Sequence, residues 1–188
     1  LLPFGIFVVG LSLVLLTIVF RSIWVPLKAA AGYLLSVAAA FGIVALVFEW
    51  GVFADALHVS KTGPVISFMP IILMGVLFGL AMDYEVFLVS RMREDYVHLR
   101  RARGGRADRA TAISAVRSGF TASARVVTAA AVIMFAVFAA FVPEGDINIK
   151  PIALGLAAGI AIDAFLVRMT LVPAVMTLLG QHAWWMPR

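Results

Sequence analysis

The 188-residue sequence contains no cysteine, which excludes a disulfide framework, thiolate catalysis and Cys-ligated zinc. Charge is scarce as well: Asp, Glu, Lys and Arg make up 13% of the chain, about half the ~25% usual in soluble domains. A surface so poor in charge belongs in a bilayer rather than in water. The sequence opens on Leu1, with no initiator Met and no basic n-region or cleavage site of a secretory signal. It is therefore expected to be a piece of a longer protein.

What fills the chain is apolar residues, 63% of the total. Spanning the hydrocarbon takes about 20 apolar residues in helical form, and five segments reach that length, near 3–20, 27–48, 65–90, 120–142 and 151–179. The expected fold class is all-α, a polytopic membrane bundle of five transmembrane helices with an Arg-rich segment, 91–119, between the third and fourth. Pro151 suits the first turn of the last helix.

The formal net charge of +5 and pI of about 10.2 need no nucleic acid as partner, because the cations cluster in short segments between apolar runs. Arg21 and Lys28 follow the first helix, and 91–125 holds nine Arg against Glu94, Asp95 and Asp108. The loops near 51–63 and 143–150 carry Lys61 and Lys150 beside Glu49, Asp55, Glu144 and Asp146. The positive-inside bias then puts the Arg-rich segment and the C-terminus in the cytoplasm and the N-terminus and the two loops outside; the expected location is the cell inner (plasma) membrane. Within "RRARGGRADRA", 100–110, the Gly-Gly pair reads as a loop and Asp108 as the cap of a helix running toward Gly119. Anionic membrane lipids are plausible partners there. Trp184, Trp185, Pro187 and Arg188 read as an interfacial belt.

The third apolar run carries "FGLAMDYEVFLVSR", 78–91. Gly75, Gly79 and Asp83 recur every four residues and form one stripe, and a small-xxx-small face lets another helix approach closely. Asp83 is thus expected in a helix–helix seam. The last run repeats the pattern with Gly155, Gly159 and Asp163, followed by Arg168.

A carboxylate at mid-membrane costs at least about 2.5–3.5 kcal/mol, so it must be neutral, paired or in a wet cavity. Asp83 lies roughly 10 Å from the basic interface by helical rise. A lone acid there is balanced between desolvation and any neighbouring cation, and such a group can load and release a proton. Tyr84, about 100° around the helix, offers a hydroxyl to a neighbouring helix, and Phe87 shares the Asp83 stripe and can wall it from cytoplasmic water. The bland readings stand beside these: Asp83 as an ion-pair partner of Arg125 or Arg168, Tyr84 as an ordinary packing aromatic, Asp163 as structural. Glu85, turned about 200° from Asp83, is expected to be solvated or snorkelling, and Ser36 to bond its own turn or a neighbouring helix.

At "GLAMDYEVFLVSRMRE" the sequence resembles the MMPL (mycobacterial membrane protein large) family of resistance-nodulation-division (RND) transporters. "RVVTAAAVIMFAVFAAF" (125–141) and "IDAFLVRMTLVPAVMTLLGQHAWWMP" (162–187) are similar to the same family's C-terminal transmembrane half. The resemblance implies a parent of twelve helices in two pseudo-symmetric halves, each with an extracytoplasmic porter domain, in which protons passing through paired Asp-Tyr motifs drive export of lipids or other hydrophobic molecules. It implies that Asp83 and Tyr84 are the second-half pair, that this chain is helices eight to twelve, and that its partners are the missing N-terminal half and porter domains. Protons are the implied coupling ion, with no cofactor or metal and no catalytic residue in the enzymatic sense.

Two other classes remain open from the residues alone. A non-transporting membrane scaffold or lipid- or sterol-sensing relative keeps the helices without proton coupling. An intramembrane aspartyl protease would bring Asp83 and Asp163 together to share a proton, although its Gly-x-Gly-Asp pattern is missing.

Overall fold

The computed structural model describes residues 2–20, 22–53, 67–102, 104, 108–144, 146 and 148–184. Arg21, the part of the first long loop from 54 to 66, residues 103 and 105–107 of the Arg-rich segment, and the Trp185–Arg188 end of the expected belt lie outside them.

Most of the described residues are helical and none lies in a strand. Helix α1 spans Leu2–Phe20, α2 Trp24–Phe48, α3 Met69–Ala102 and α4 Arg109–Glu144. The last segment is α5, Lys150–Ala161, a π-wound stretch, Ile162–Leu171, and α6, Val172–Leu179, followed by a 3₁₀ turn at Gly180–Trp184. Five helices are long and apolar enough to cross a membrane, and the protein is a multi-pass membrane protein. In hydrocarbon every backbone polar group must be satisfied within the segment, which a helix achieves by itself.

Helices α3 and α4 run well past the expected ends at 90 and 120. At 34 and 36 residues they reach about 51 and 54 Å by helical rise, against a hydrocarbon thickness of ~30 Å. The 91–119 segment is therefore largely an antiparallel helical hairpin, in which α3 continues to Ala102 and the expected helix after Asp108 runs on as α4, closed by Tyr96, Leu99, Ala112 and Ala115. Asp108 does cap α4: its Oδ1 accepts the backbone N–H of Thr111 at 2.7 Å and the Thr111 hydroxyl. The helix does not stop near Gly119. A Cβ there would lie 2.7 Å from Met92 Cα and 2.8 Å from Met92 N, so this glycine is where the two backbones cross. Ser118, beside it, donates to Asp95 Oδ2 at 2.5 Å.

The packed interior is split. Val37, Ala40, Val44, Leu73, Leu77, Ala81, Leu156 and Ile160 belong to one apolar cluster; Val25, Ala29, Leu88, Val89, Met92, Val167 and Met176 belong to another. Near the junction of the two clusters each of three elements buries a polar side chain: Ser36 on α2, Glu85 on α3 and Asp163 on the last segment.

Candidate functional site

Position on three helices brings the polar side chains into that gap. On α2, Lys28, Gly32 and Ser36 recur every four residues and share one face. Gly32 is required there, since a Cβ would stand 2.6 Å from Val167 Cγ1. The missing side chain lets the π-wound stretch close on α2 and places Lys28 and Ser36 against it.

The π winding does the same for the partners. In an α-helix, residues five apart are about 140° apart around the axis and cannot share a face. Bonds of the i→i+5 kind bring Asp163 and Arg168 into register, and Arg168 Nε donates to Asp163 Oδ2 at 2.6 Å. Pro173 gives a local reason for the widening: it lacks an N–H and its ring crowds the carbonyl four residues back, which a wider turn accommodates.

Glu85 completes the arrangement from α3. Lys28 Nζ donates to Glu85 Oε1 at 2.5 Å, and Arg168 Nη1 stands 3.5 Å from Glu85 Oε2 without forming a hydrogen bond of good geometry. Arg168 Nη2 donates to the Ala81 carbonyl. Ser36 Oγ lies 3.2 Å from Asp163 Oδ1 and 3.1 Å from Gly32 O; its single proton serves one of them at a time. Two cations and two carboxylates thus form a neutral quartet whose side chains are 9%, 4%, 2% and 8% exposed for Lys28, Arg168, Glu85 and Asp163.

The expectation for Glu85 is corrected: it is buried at 1% exposure and ion-paired, not solvated. The 200° offset from Asp83 turns it inward, and the neighbours that receive it come from other helices. Lys28, counted among the charges between helices, lies on α2 and points into this site. Asp163 is a buried member of the quartet, as is Arg168, which the sequence offered as a possible partner of Asp83 and as a neighbour of Asp163 five residues on.

Asp83 is on the opposite side. It is exposed at the surface of this chain and makes no hydrogen bond or ion pair among the described residues. It pairs with neither Arg125 nor Arg168. Gly79, Asp83, Val86, Phe87 and Ser90 form one exposed stripe at helical spacing. The seam expected around Asp83 is not closed within this chain, and a Cβ on Gly79 would meet nothing within 4 Å. Gly75 makes an ordinary contact with Phe4, 3.8 Å from an added Cβ. Gly155 and Gly159 are tight: added Cβ atoms would stand 2.8 Å and 2.7 Å from Leu73 and Leu77. With Asp163 occupied by Arg168 and Ser36 and Asp83 apart from it, the carboxyl dyad of an aspartyl protease is not formed.

Tyr84 stands between the two arrangements. Its ring lies under the Arg168 guanidinium, 5.7 Å from the centroid, within cation–π range. It is adjacent in sequence to Asp83 and in contact with the quartet. No group of three or more metal-ligating side chains is present among the described residues.

A family model described as the MMPL family matches residues 4–188. The chain belongs to the MMPL family. Within this family it is 46% identical to membrane protein YdfJ of Bacillus subtilis over 185 residues, 98% of this chain and 24% of the relative. It is 39% identical to the trehalose monomycolate exporter MmpL3 of Mycobacterium tuberculosis over 180 residues, 94% of this chain and 18% of that one. With the heme uptake protein MmpL11 of M. tuberculosis the identity is 38% over 183 residues, 97% of this chain and 18% of the relative. The chain thus spans a quarter or less of the MMPL proteins it matches. Those MMPL relatives with functional names are named as transporters, uptake proteins or exporters, which fits a transport role in the family and not an enzymatic one.

Proposed function

We propose that this chain is the second transmembrane half, helices eight to twelve, of a proton-driven exporter of lipids or other hydrophobic molecules. In this reading it sits in the inner (plasma) membrane with α1 entering from outside and the α3–α4 hairpin in the cytoplasm. Asp83 and Tyr84 are the proton relay, and protons are the coupling ion.

The observation that carries the reading is the contrast among the three acids in the apolar spans. Glu85 and Asp163 are buried and compensated by Lys28 and Arg168, whereas Asp83 stands unpaired on an outer stripe. A carboxyl without a fixed cation is the one whose charge changes at least cost when a proton arrives. The stripe is the surface offered to the missing N-terminal half, with Gly79 leaving room for a close approach, and Phe87 flanks the acid on its Arg-rich side.

Mechanistically, protonation of Asp83 removes a charge beside Tyr84, whose ring faces Arg168. Arg168 is held by α3 through Ala81 O and by the π-wound stretch through Asp163. A change at Asp83 therefore acts on a joint between α3 and the last segment. A two-state rearrangement of the bundle is biased by the free-energy difference of the proton between states, about 1.4 kcal/mol per pKa unit. The porter domains of the full-length protein would receive that movement. The names of the MmpL3 and MmpL11 relatives include trehalose monomycolate export, export of mycolic acid-containing lipids and heme uptake.

The test is Asp83→Asn in the full-length protein. Loss of export at normal membrane abundance and unchanged stability is expected. Retained export would overturn the relay, and an unchanged cellular function without any proton coupling would favour the scaffold reading.

A further inference from the structure

Of the five spans, α4 is the least buried against the rest of the chain, and its outer face has an uneven distribution of charge. No Asp or Glu occurs on α4 between Arg109 and Pro143. Arg117 and Arg125 are exposed on that face, eight residues and about 12 Å apart. Neither forms an ion pair among the described residues. Two turns beyond Arg125 the same face is apolar, with Val132 and Phe135 exposed at 49% and 41%.

Depth follows from the hairpin register. Gly119 crosses α3 at Met92 and Ser118 bonds Asp95, so Arg117 stands level with the first polar turns of α3. Arg125 stands about two turns deeper, where the apolar run begins. Helical side chains lean toward the N-terminus of their helix, and α4 starts at the polar end. The Arg125 guanidinium is therefore tilted out of the hydrocarbon toward the headgroup layer. A cation at that depth, above an apolar stripe and without an anionic partner among the described residues, has the complement of an anionic phospholipid: a phosphate for the guanidinium and an acyl chain for the stripe.

We propose that the outer face of α4 binds an anionic phospholipid, with Arg125 as the main phosphate contact, Arg117 as a second cation, and one acyl chain along Val132 and Phe135. The site goes beyond the exporter reading, since it needs neither Asp83 nor proton coupling, and it stands on α4 alone.

The full-length protein, purified in neutral detergent, tests it by native mass spectrometry with dioleoyl phosphatidylglycerol as the probe. Arg125→Gln and Arg117→Gln should each weaken the tightest lipid adduct by about fivefold. Arg125→Lys should lose less than Arg125→Gln, because it keeps the charge but not the planar fork. Arg101→Gln, which removes the same charge from the far part of the hairpin, should leave the adduct unchanged. Dioleoyl phosphatidylcholine should compete poorly and inorganic phosphate should not displace the lipid. An equal loss on Arg101→Gln, no loss on Arg125→Gln, or equal binding of phosphatidylcholine overturns the proposal. Displacement by inorganic phosphate overturns the lipid as occupant and assigns the arginines to a free anion.

Discussion

The buried quartet makes its sharpest prediction as a double-mutant cycle on Lys28 and Glu85. Both side chains are nearly excluded from solvent, so removing one partner strands a buried charge. Breaking such a pair costs about 3–5 kcal/mol, two to three and a half decades in the unfolding equilibrium. Lys28→Met leaves two carboxylates facing Arg168 alone, and Glu85→Gln leaves Lys28 with no counter-charge. Removing both restores neutrality, because Asp163 and Arg168 keep their 2.6 Å bond and the two new side chains are uncharged. The double variant is expected within about 1–2 kcal/mol of wild type, giving a coupling near 3 kcal/mol or more, large for neighbouring residues. The assay is reversible unfolding of the full-length protein in mixed micelles, followed by far-UV circular dichroism. Additive losses, with the double variant as unstable as the sum of the singles, would refute the pairing and with it the account of the gap between the two apolar clusters.

Gly119→Ala should destabilise the hairpin by about 1–3 kcal/mol, since the added Cβ meets the Met92 backbone rather than a movable side chain; thermal unfolding would register this. Gly159→Ala, whose Cβ meets the flexible end of Leu77, should cost less in the same experiment. Asp108→Ala removes the cap of α4 and is expected to cost about 1 kcal/mol, seen as faster amide hydrogen exchange in the first turn from Arg109. Asp83→Asn should leave unfolding within about 0.5 kcal/mol of wild type, because Asp83 has no charged or hydrogen-bonded partner among the described residues and the relay reading gives it none fixed; a larger loss would reveal a structural ion pair in the full-length protein.

The existence of five spanning helices was legible because apolar length alone decides it. Their ends were not. The hairpin beyond residue 90 is amphipathic and Arg-rich, and its Gly119 carries the sign of a terminator while serving as a backbone crossing. Sequence reasoning turned Glu85 away from Asp83 correctly by helical angle, yet its burial depends on Lys28 and Arg168 arriving from two other helices. Lys28 was hidden because a bias in topology already explained it; its spacing to Gly32 and Ser36 was the signal available. Arg168 was visible as a reason for a structural Asp163, but the geometry of the pair was not, since residues five apart share a face only where the helix is π-wound. Pro173 was the one sign in the sequence of a change in winding. Asp83 stood out at once by residue type and stayed separate in the structure, because the surface it presents is completed by nothing in this chain.

The central claim is that Asp83 exchanges a proton while Glu85 and Asp163 stay paired. Labelling with dicyclohexylcarbodiimide, which modifies protonated carboxyls in apolar surroundings, should be measured across pH in the full-length protein in native membranes, with peptide mass spectrometry to assign the sites. The account predicts Asp83 labelling that falls as pH rises, with Glu85 and Asp163 unlabelled throughout. An Asp83 that stays unmodified at every pH while a control carboxyl reacts, or equal labelling of Glu85 and Asp163, would contradict it.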